Sequence, residues 1–365
     1  MKRYESIIVT GSMSWDTIMD FPNKFVDYLH PEKLHQINIS FVVDGLEKQI
    51  GGTGTDIAYG ASETKKILSM SSSGLTRRLK DSRLRGNDKH VGICLLGGLG
   101  KDGKDHLAFF RKNGIDTRGI IVDQKKYSAS GSVITDIKDN QIWGFYYGAC
   151  EAGKKVNFKK HVKKNSLMIV SANHPQALLA AQNYAIKNKV DYMCDVGMAL
   201  SWISDKDLKN GVMNAKFLIG NDYEIAMIIK RLKVTVSELV KKGIGVITTL
   251  GDNGVRLNFA TDSAAHVFPP VLVHAARVSG SLHSRHLLQN FIKIPAVKIK
   301  KVVDPTGAGD AWRGGFMTAY SEGYGIIDCL KIGNVVASFS IEHYGTVNYK
   351  IGKSEFNKRL KSLDV

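Results

Sequence analysis

Val302-Val303-Asp304-Pro305-Thr306-Gly307-Ala308-Gly309-Asp310-Ala311-Trp312-Arg313-Gly314-Gly315-Phe316 decides how this chain is read. The β-branched run Ile299 to Val303 predicts a strand, and Pro305 stops pairing and forces a turn. Gly307 and Gly309 allow a tight bend and leave room for a ligand against the backbone. Apolar residues then resume at helical spacing at Ala311, Trp312, Phe316, Ala319 and Tyr320, so the glycine turn opens a helix. The first N–H groups of a helix lack internal partners and its dipole is positive there, which makes an anion site. Asp310 falls in that first turn. Bound phosphate repels a neighbouring carboxylate unless the carboxylate faces a substrate proton. That pairing suits phosphoryl transfer: amides hold the charge of the moving group while the aspartate takes an alcohol's proton. A bare Gly-x-Gly-Asp reads as a turn with a helix-start aspartate; the full string from Asp304 to Asp310 is far more specific.

Composition narrows the class. Hydrophobic residues make up 43% of the 365, enough for a sizeable core in one large α/β domain or two smaller ones. No apolar run approaches the ~20 residues of a membrane span. The start, Met1-Lys2-Arg3-Tyr4-Glu5, runs straight into strand-like Ser6-Ile7-Ile8-Val9 without a signal-peptide core, which predicts a cytoplasmic protein. Cys94, Cys150, Cys194 and Cys329 are scattered and read as reduced thiols, neither a disulfide set nor a zinc site. The formal charge of +17 raises nucleic acid or a membrane surface as partners. Part of it is local, since Thr76 to Lys89 holds six basic residues against two acidic ones, and the rest is spread as lysines between apolar positions. Solvated lysine faces are the favoured reading, with no nucleic-acid or membrane partner; the charge also draws in an anionic nucleotide.

Along the chain, Tyr4 to Thr10 predicts a buried strand that runs into a glycine-led loop, Gly11 to Thr17, carrying Asp16. Ile37, Ile39, Phe41 and Val43 alternate as a strand would. Gly51-Gly52-Thr53-Gly54-Thr55-Asp56 is a second glycine turn that enters a helix. Gly98-Leu99-Gly100-Lys101-Asp102-Gly103 matches the dinucleotide fingerprint, with a strand before it, a helix after it and Asp123 closing the next strand. A dehydrogenase is therefore the main rival, but it leaves residues 304–310 unexplained, and a structural turn is favoured. Ser130 to Thr135 and Gln141 to Tyr147 predict a hairpin bearing Trp143, Phe145, Tyr146 and Tyr147. From Leu167 strands and helices alternate in βαβ rhythm, which predicts a doubly wound, mostly parallel sheet with helices on both faces. Strand ends carry Asn221-Asp222-Tyr223-Glu224 and Thr248-Thr249-Leu250-Gly251. No P-loop motif is present, so phosphate binding falls to such turns. Ile294 to Lys300 predicts a strand, and Ile332 to Ser338 a helix. Residues 70–89 and 262–292 break the pattern as insertions, the first a mobile surface loop; His30, His35, His266, His274, His283 and His286 fit no metal-ligand spacing.

The string at 304–310, the diglycine at 51–52, Asn221-Asp222-Tyr223-Glu224 and Thr249-Leu250-Gly251 together resemble the ribokinase-like (PfkB) carbohydrate and nucleoside kinases over nearly the whole chain. Ser14-Trp15-Asp16-Thr17-Ile18-Met19, His30-Pro31-Glu32-Lys33-Leu34-His35 and Gly309-Asp310-Ala311-Trp312-Arg313 resemble the bacterial adenosine-kinase-like branch. The resemblance implies one ribokinase-like domain over 1–365 with a small β-sheet lid from about 17–48 and 124–148. It implies Asp310 as catalytic base and Gly307, Ala308 and Gly309 as the anion hole. Asp16, Gly51, Gly52 and Asp56 would hold the substrate, with Phe145 or Tyr147 stacking on its base. The family's usual residue where Asp56 stands is asparagine; a carboxylate accepts from sugar hydroxyls but does not donate. Asn221, Glu224, Thr249 and Gly251 would serve the ATP phosphates, Glu224 also reaching magnesium through water, and Asn334 and His343 would flank adenine; core packing is an equal reading for Asn334. The implied reaction is ATP- and magnesium-dependent phosphorylation of a nucleoside 5′-hydroxyl, first of all adenosine; a monovalent cation and a homodimer are left open. A sugar kinase on the same fold, or an impaired nucleoside-binding protein, are the alternatives.

Overall fold

The computed structural model describes residues 3–29, 39–70, 91–138, 140–259 and 291–364. The six histidines noted above and nearly all of the two expected insertions lie outside them. Thirteen strands are described: β1 Ser6–Thr10, β2 Ser14–Asp20, β3 Gly45–Gly51, β4 Gly92–Gly100, β5 Asp116–Asp123, β6 Ala129–Thr135, β7 Gln141–Tyr146, β8 Ser166–Val170, β9 Tyr192–Asp195, β10 Phe217–Asn221, β11 Gly245–Thr249, β12 Val255–Asn258 and β13 Phe291–Ile294.

Short apolar runs make strands buried on both faces, and their two-residue period sends alternate side chains into two cores. In β1, Ile7 and Val9 join one core and Ile8 the other. The same split divides Leu167 and Ile169 from Met168 and Val170 in β8. Helices Thr53–Ser69, Lys104–Lys112, Ala308–Ser321, Ile326–Ser340 and Lys353–Ser362 cover the first core through Ile57, Phe110, Phe316, Leu330 and Phe356. Helices Pro175–Lys187, Asp205–Met213, Asp222–Leu232 and Val236–Lys241 cover the second through Leu178, Leu208, Ile225 and Leu239. The result is a nine-stranded sheet in the order β13-β12-β11-β10-β9-β8-β1-β4-β5. It is parallel except where β12 and β13 pair antiparallel at one edge. Strand order reverses about β1, and in such sheets the cleft lies outside the carboxyl ends of the strands near that switch. A separate four-stranded sheet, β3-β2-β6-β7, is formed by the chain between β1 and β4 and after β5. In it β2 pairs parallel with β6 and antiparallel with β3.

Three local expectations need correction. Neither Ile294–Lys300 nor Ile299–Val303 is a strand: β13 ends at Ile294, and residues 295–303 carry no ladder. Lys298, Ile299 and Val302 instead wall a cavity, and the amides of Val303 and Asp304 donate to the carbonyl of Ile341. Residues 39–43 form no strand either; Phe41 packs among Phe21, Phe25 and Tyr28 at ring-centroid distances of 4.8, 5.2 and 6.1 Å. Asp16 lies on β2, not in a loop.

Candidate active site

The turn at 307–310 is built as its residues dictate. Gly307 caps helix Ala308–Ser321 with φ +75°, where a side chain would be strained and would meet Thr346 Cγ2 at 2.7 Å. Asp304 fixes the approach: its Oδ1 accepts from the Thr306 amide at 2.9 Å and its Oδ2 from the Gly345 amide at 3.0 Å. The helix is thereby aimed at the carboxyl ends of β8, β9, β10 and β11, whose Ala172, Asp195, Asn221 and Thr249 line one polar cavity of ≈ 460 Å³ with Gly307, Gly309, Asp310 and Arg313. An adjoining cavity of ≈ 560 Å³ is mainly apolar, lined by Ala296, Val297, Ile299, Trp312, Ala337 and Ile341 among others. Thr249, Gly251, Pro305, Ala308 and Gly309 line both, so the glycine turn is the ridge between an apolar chamber and a polar one. Both volumes are in the range of small-molecule sites.

Charge in the polar chamber is unbalanced. Asp195, Asp222, Glu224 and Asp310 line it against Arg313 alone. Burial pushes the Asp310 carboxyl up to about 7; Arg313 pulls the other way, and Asp195, Glu224 and Asp16 add to the rise. Burial also raises Asp16, against a hydrogen bond from Ser14 Oγ at 2.9 Å. Asp56 is raised well above the usual carboxylate range by burial and then by Asp310 and Asp16, against a 2.8 Å hydrogen bond from Thr346 Oγ1. A base that titrates near neutrality beside helix-start amides suits removal of an alcohol proton.

A model of the family described as pfkB family carbohydrate kinase matches residues 90–275 and 277–351. The chain belongs to this family. It is 28% identical to the nucleoside kinase of Methanothermobacter thermautotrophicus over 256 residues, 69% of this chain and 73% of that protein. It is 24% identical to the nucleoside kinase of Methanocaldococcus jannaschii over 323 residues, 88% of each chain. Its fold is that of the Burkholderia thailandensis nucleoside kinase in complex with inosine, with a TM-score of 0.76, 22% identity and 98% of each chain covered.

In this pfkB kinase the other expected residues are spread over several places. Asn221, Glu224, Thr249 and Gly251 reach the polar chamber. Asn221 and Glu224 also form a capping box on helix Asp222–Leu232: Asn221 Oδ1 accepts from the Glu224 amide and Glu224 Oε2 from the Asn221 amide, each at 2.8 Å. Asp16 and Gly51 meet across β2 and β3, where a side chain on Gly51 would collide with Asp16 Oδ2 at 2.0 Å; Gly52, the next residue, takes φ +95°. Thr53, after that diglycine, lines the polar chamber. Phe145 and Tyr147 are half-buried and edge-to-face at 5.2 Å, and the Tyr147 hydroxyl accepts from Trp202 Nε1 at 3.1 Å.

Asn334 borders the apolar chamber, but its amide is engaged: Oδ1 accepts from Trp312 Nε1 at 2.7 Å and Nδ2 donates to the Pro295 carbonyl at 2.7 Å. His343 is exposed, pairs its Nδ1 with the Phe339 carbonyl at 2.9 Å and lines neither chamber. The rival dinucleotide motif packs against its own chain: side chains added at Gly98 and Gly100 would meet Ala149 O and Ser128 N, both at 2.0 Å. Two residues the sequence reading gave no role, Asp195 and Arg313, also line the polar chamber and form a 2.6 Å ion pair. A carboxylate closing the buried strand Tyr192–Asp195 was the available signal for the first.

Proposed function

We propose that this protein transfers the γ-phosphoryl group of ATP to the 5′-hydroxyl of a nucleoside, with adenosine and inosine the first purines to test. The observation that carries the reading is Asp310, a carboxyl raised to about 7 in the first turn of the helix that divides the apolar chamber from the polar one. The nucleoside kinase names of the relatives and the inosine complex of the Burkholderia protein support the acceptor class.

The apolar chamber takes adenine between Ile299, Trp312 and Ala337, and the triphosphate crosses Gly309 and Thr249 into the polar chamber. Asp310 takes the 5′ proton as the nucleoside oxygen bonds the γ-phosphorus. The bond from that phosphorus to the β,γ-bridging oxygen breaks and ADP leaves, while amides of the 307–310 turn stabilise the charge on the moving group. Asp16 and Asp56 accept from the ribose hydroxyls, and Phe145 flanks the base. Among the described residues no three carboxylate, histidine or cysteine side chains are grouped to hold a metal alone. A chamber lined by four carboxylates repels a bare polyphosphate, so the residues fit a magnesium ion carried in on ATP and reached by Glu224 through water. Magnesium supplies neutralising charge on the phosphates.

A panel of nucleosides, ribose and fructose with ATP and magnesium tests the acceptor. Purine nucleoside turnover with little on free sugars is expected; turnover on sugars alone would make this a sugar kinase, and binding without ADP release would make it a binding protein. Asp310→Asn should lower kcat by about 10²-fold or more with the fold retained, measured as ADP release; near-normal turnover would remove Asp310 from the chemistry.

A further inference from the structure

Arg313 is an arginine in the middle of an apolar helix, and its side chain is 9% exposed. Its Nη2 donates to Asp195 Oδ1 at 2.6 Å, and Asp195 Oδ2 accepts from Ser171 Oγ at 2.5 Å. Nη1 lies 2.8 Å from where a Gly309 side chain would begin, so the guanidinium sits against the glycine of the turn. Its buried Nε has no hydrogen-bond partner among the described residues. Arg313 follows Asp310 by three positions, which puts them on one face of the helix, and both line the polar chamber with Asp195. Burying a guanidinium is costly even when it is paired, and a well-packed apolar residue would serve stability as well or better. The pair therefore asks for a reason other than folding.

We propose that the Arg313–Asp195 pair is a positioning device for Asp310, placing one fixed positive and one fixed negative charge beside the base so that it is ionised yet still able to accept a proton at neutral pH. This rests on Asp310 as the base. The charged groups facing Asp310 are Arg313 on its own helix, Asp195 at the end of β9, Glu224 on helix Asp222–Leu232, Asp16 on β2 and Asp56 on helix Thr53–Ser69, with the Tyr349 hydroxyl also in its field. Arg313 opposes the upward push on Asp310, whereas Asp195 adds to it.

The pair can be broken from either end, and the two ends make opposite predictions. The pH dependence of kcat/KM is measured with saturating magnesium for wild type, Arg313→Gln, Asp195→Asn, the double variant and Arg313→Lys. Losing the cation should move the acid limb up by about 1 pH unit or more, with activity recovering at high pH. Losing the carboxylate should move the limb down. The double variant leaves no bare buried ion, which guards against unfolding, and its limb should fall between the two; Arg313→Lys keeps the charge and should keep the limb near that of wild type. Single variants that lose activity equally at every pH, or that raise only the KM for ATP with the limb unmoved, would overturn the proposal. Asp310→Asn runs alongside: if it is inactive throughout while the limbs stay still, the positioning role fails and the base survives; if it is active, the base itself fails.

Discussion

At the scale of single residues the proposed transfer turns on one carboxyl, Asp310. A base that titrates near 7 must be ionised to work, so kcat/KM should rise with pH and level off above about 7. A profile flat between about pH 5.5 and 8.5 would contradict this. The same shift acts on folding. Between about pH 4, where an unfolded aspartate titrates, and about 7, the folded protein holds a proton that the unfolded chain has released. The stability this proton contributes is present below about pH 4 and is lost as pH rises through about 7. Asp310→Asn should therefore raise Tm at about pH 8 and change it little near pH 4. A variant that melts lower at alkaline pH would show that Asp310 is not destabilised by its setting.

At the scale of elements, close backbone approach holds the site helix in place. A side chain on Gly314 would meet the amide of Ala61 at 2.5 Å and the carbonyl of Ile57 at 2.6 Å, both backbone atoms of helix Thr53–Ser69. Gly315 faces Val336 Cγ2 at 2.9 Å on helix Ile326–Ser340. The adjacent glycines are therefore packing devices, and helix Ala308–Ser321 is wedged between the diglycine helix and the wall of the apolar chamber. Gly314→Ala should cost about 1–3 kcal/mol, because backbone cannot retreat as a side-chain tip can; equilibrium denaturation measures it, and an unchanged midpoint would refute the wedge.

At the scale of the molecule, two chambers meeting at one ridge should make ligand and fold mutually supporting. ADP at about a hundred times its Kd should add about 2.7 kcal/mol to unfolding free energy, read as a rise in Tm. No rise would mean that the apolar chamber is not a nucleotide site. Much of this architecture is legible in the chain. The βαβ rhythm after Leu167 follows from period-2 burial on two faces, and the 304–310 string announces the turn because φ +75° at 307, with Thr346 Cγ2 2.7 Å from where a side chain would begin, favours glycine. Local pattern fails where tertiary position decides. Ile299 to Val303 has strand residues but no partner strand among the described residues, and Ile299 and Val302 wall a cavity instead. Ile39 to Val43 alternates, yet Phe41 is engaged in an aromatic cluster and the ladder begins at Gly45. Asp195 and Arg313 are 118 residues apart, so no spacing could announce their pair.

The loop after helix Ile326–Ser340 has a further consequence. The Gly345 amide fastens to Asp304, and the Thr346 hydroxyl to Asp56. One late stretch thus latches the signature turn and the diglycine helix, whose own residues are nearly 250 positions apart in order of synthesis. A nascent chain could form the strands that precede it and still lack this latch. Readiness at the ridge comes only after residue 346 has left the ribosome, which makes a cut just before that loop a way to separate folding of the sheet from assembly of the site.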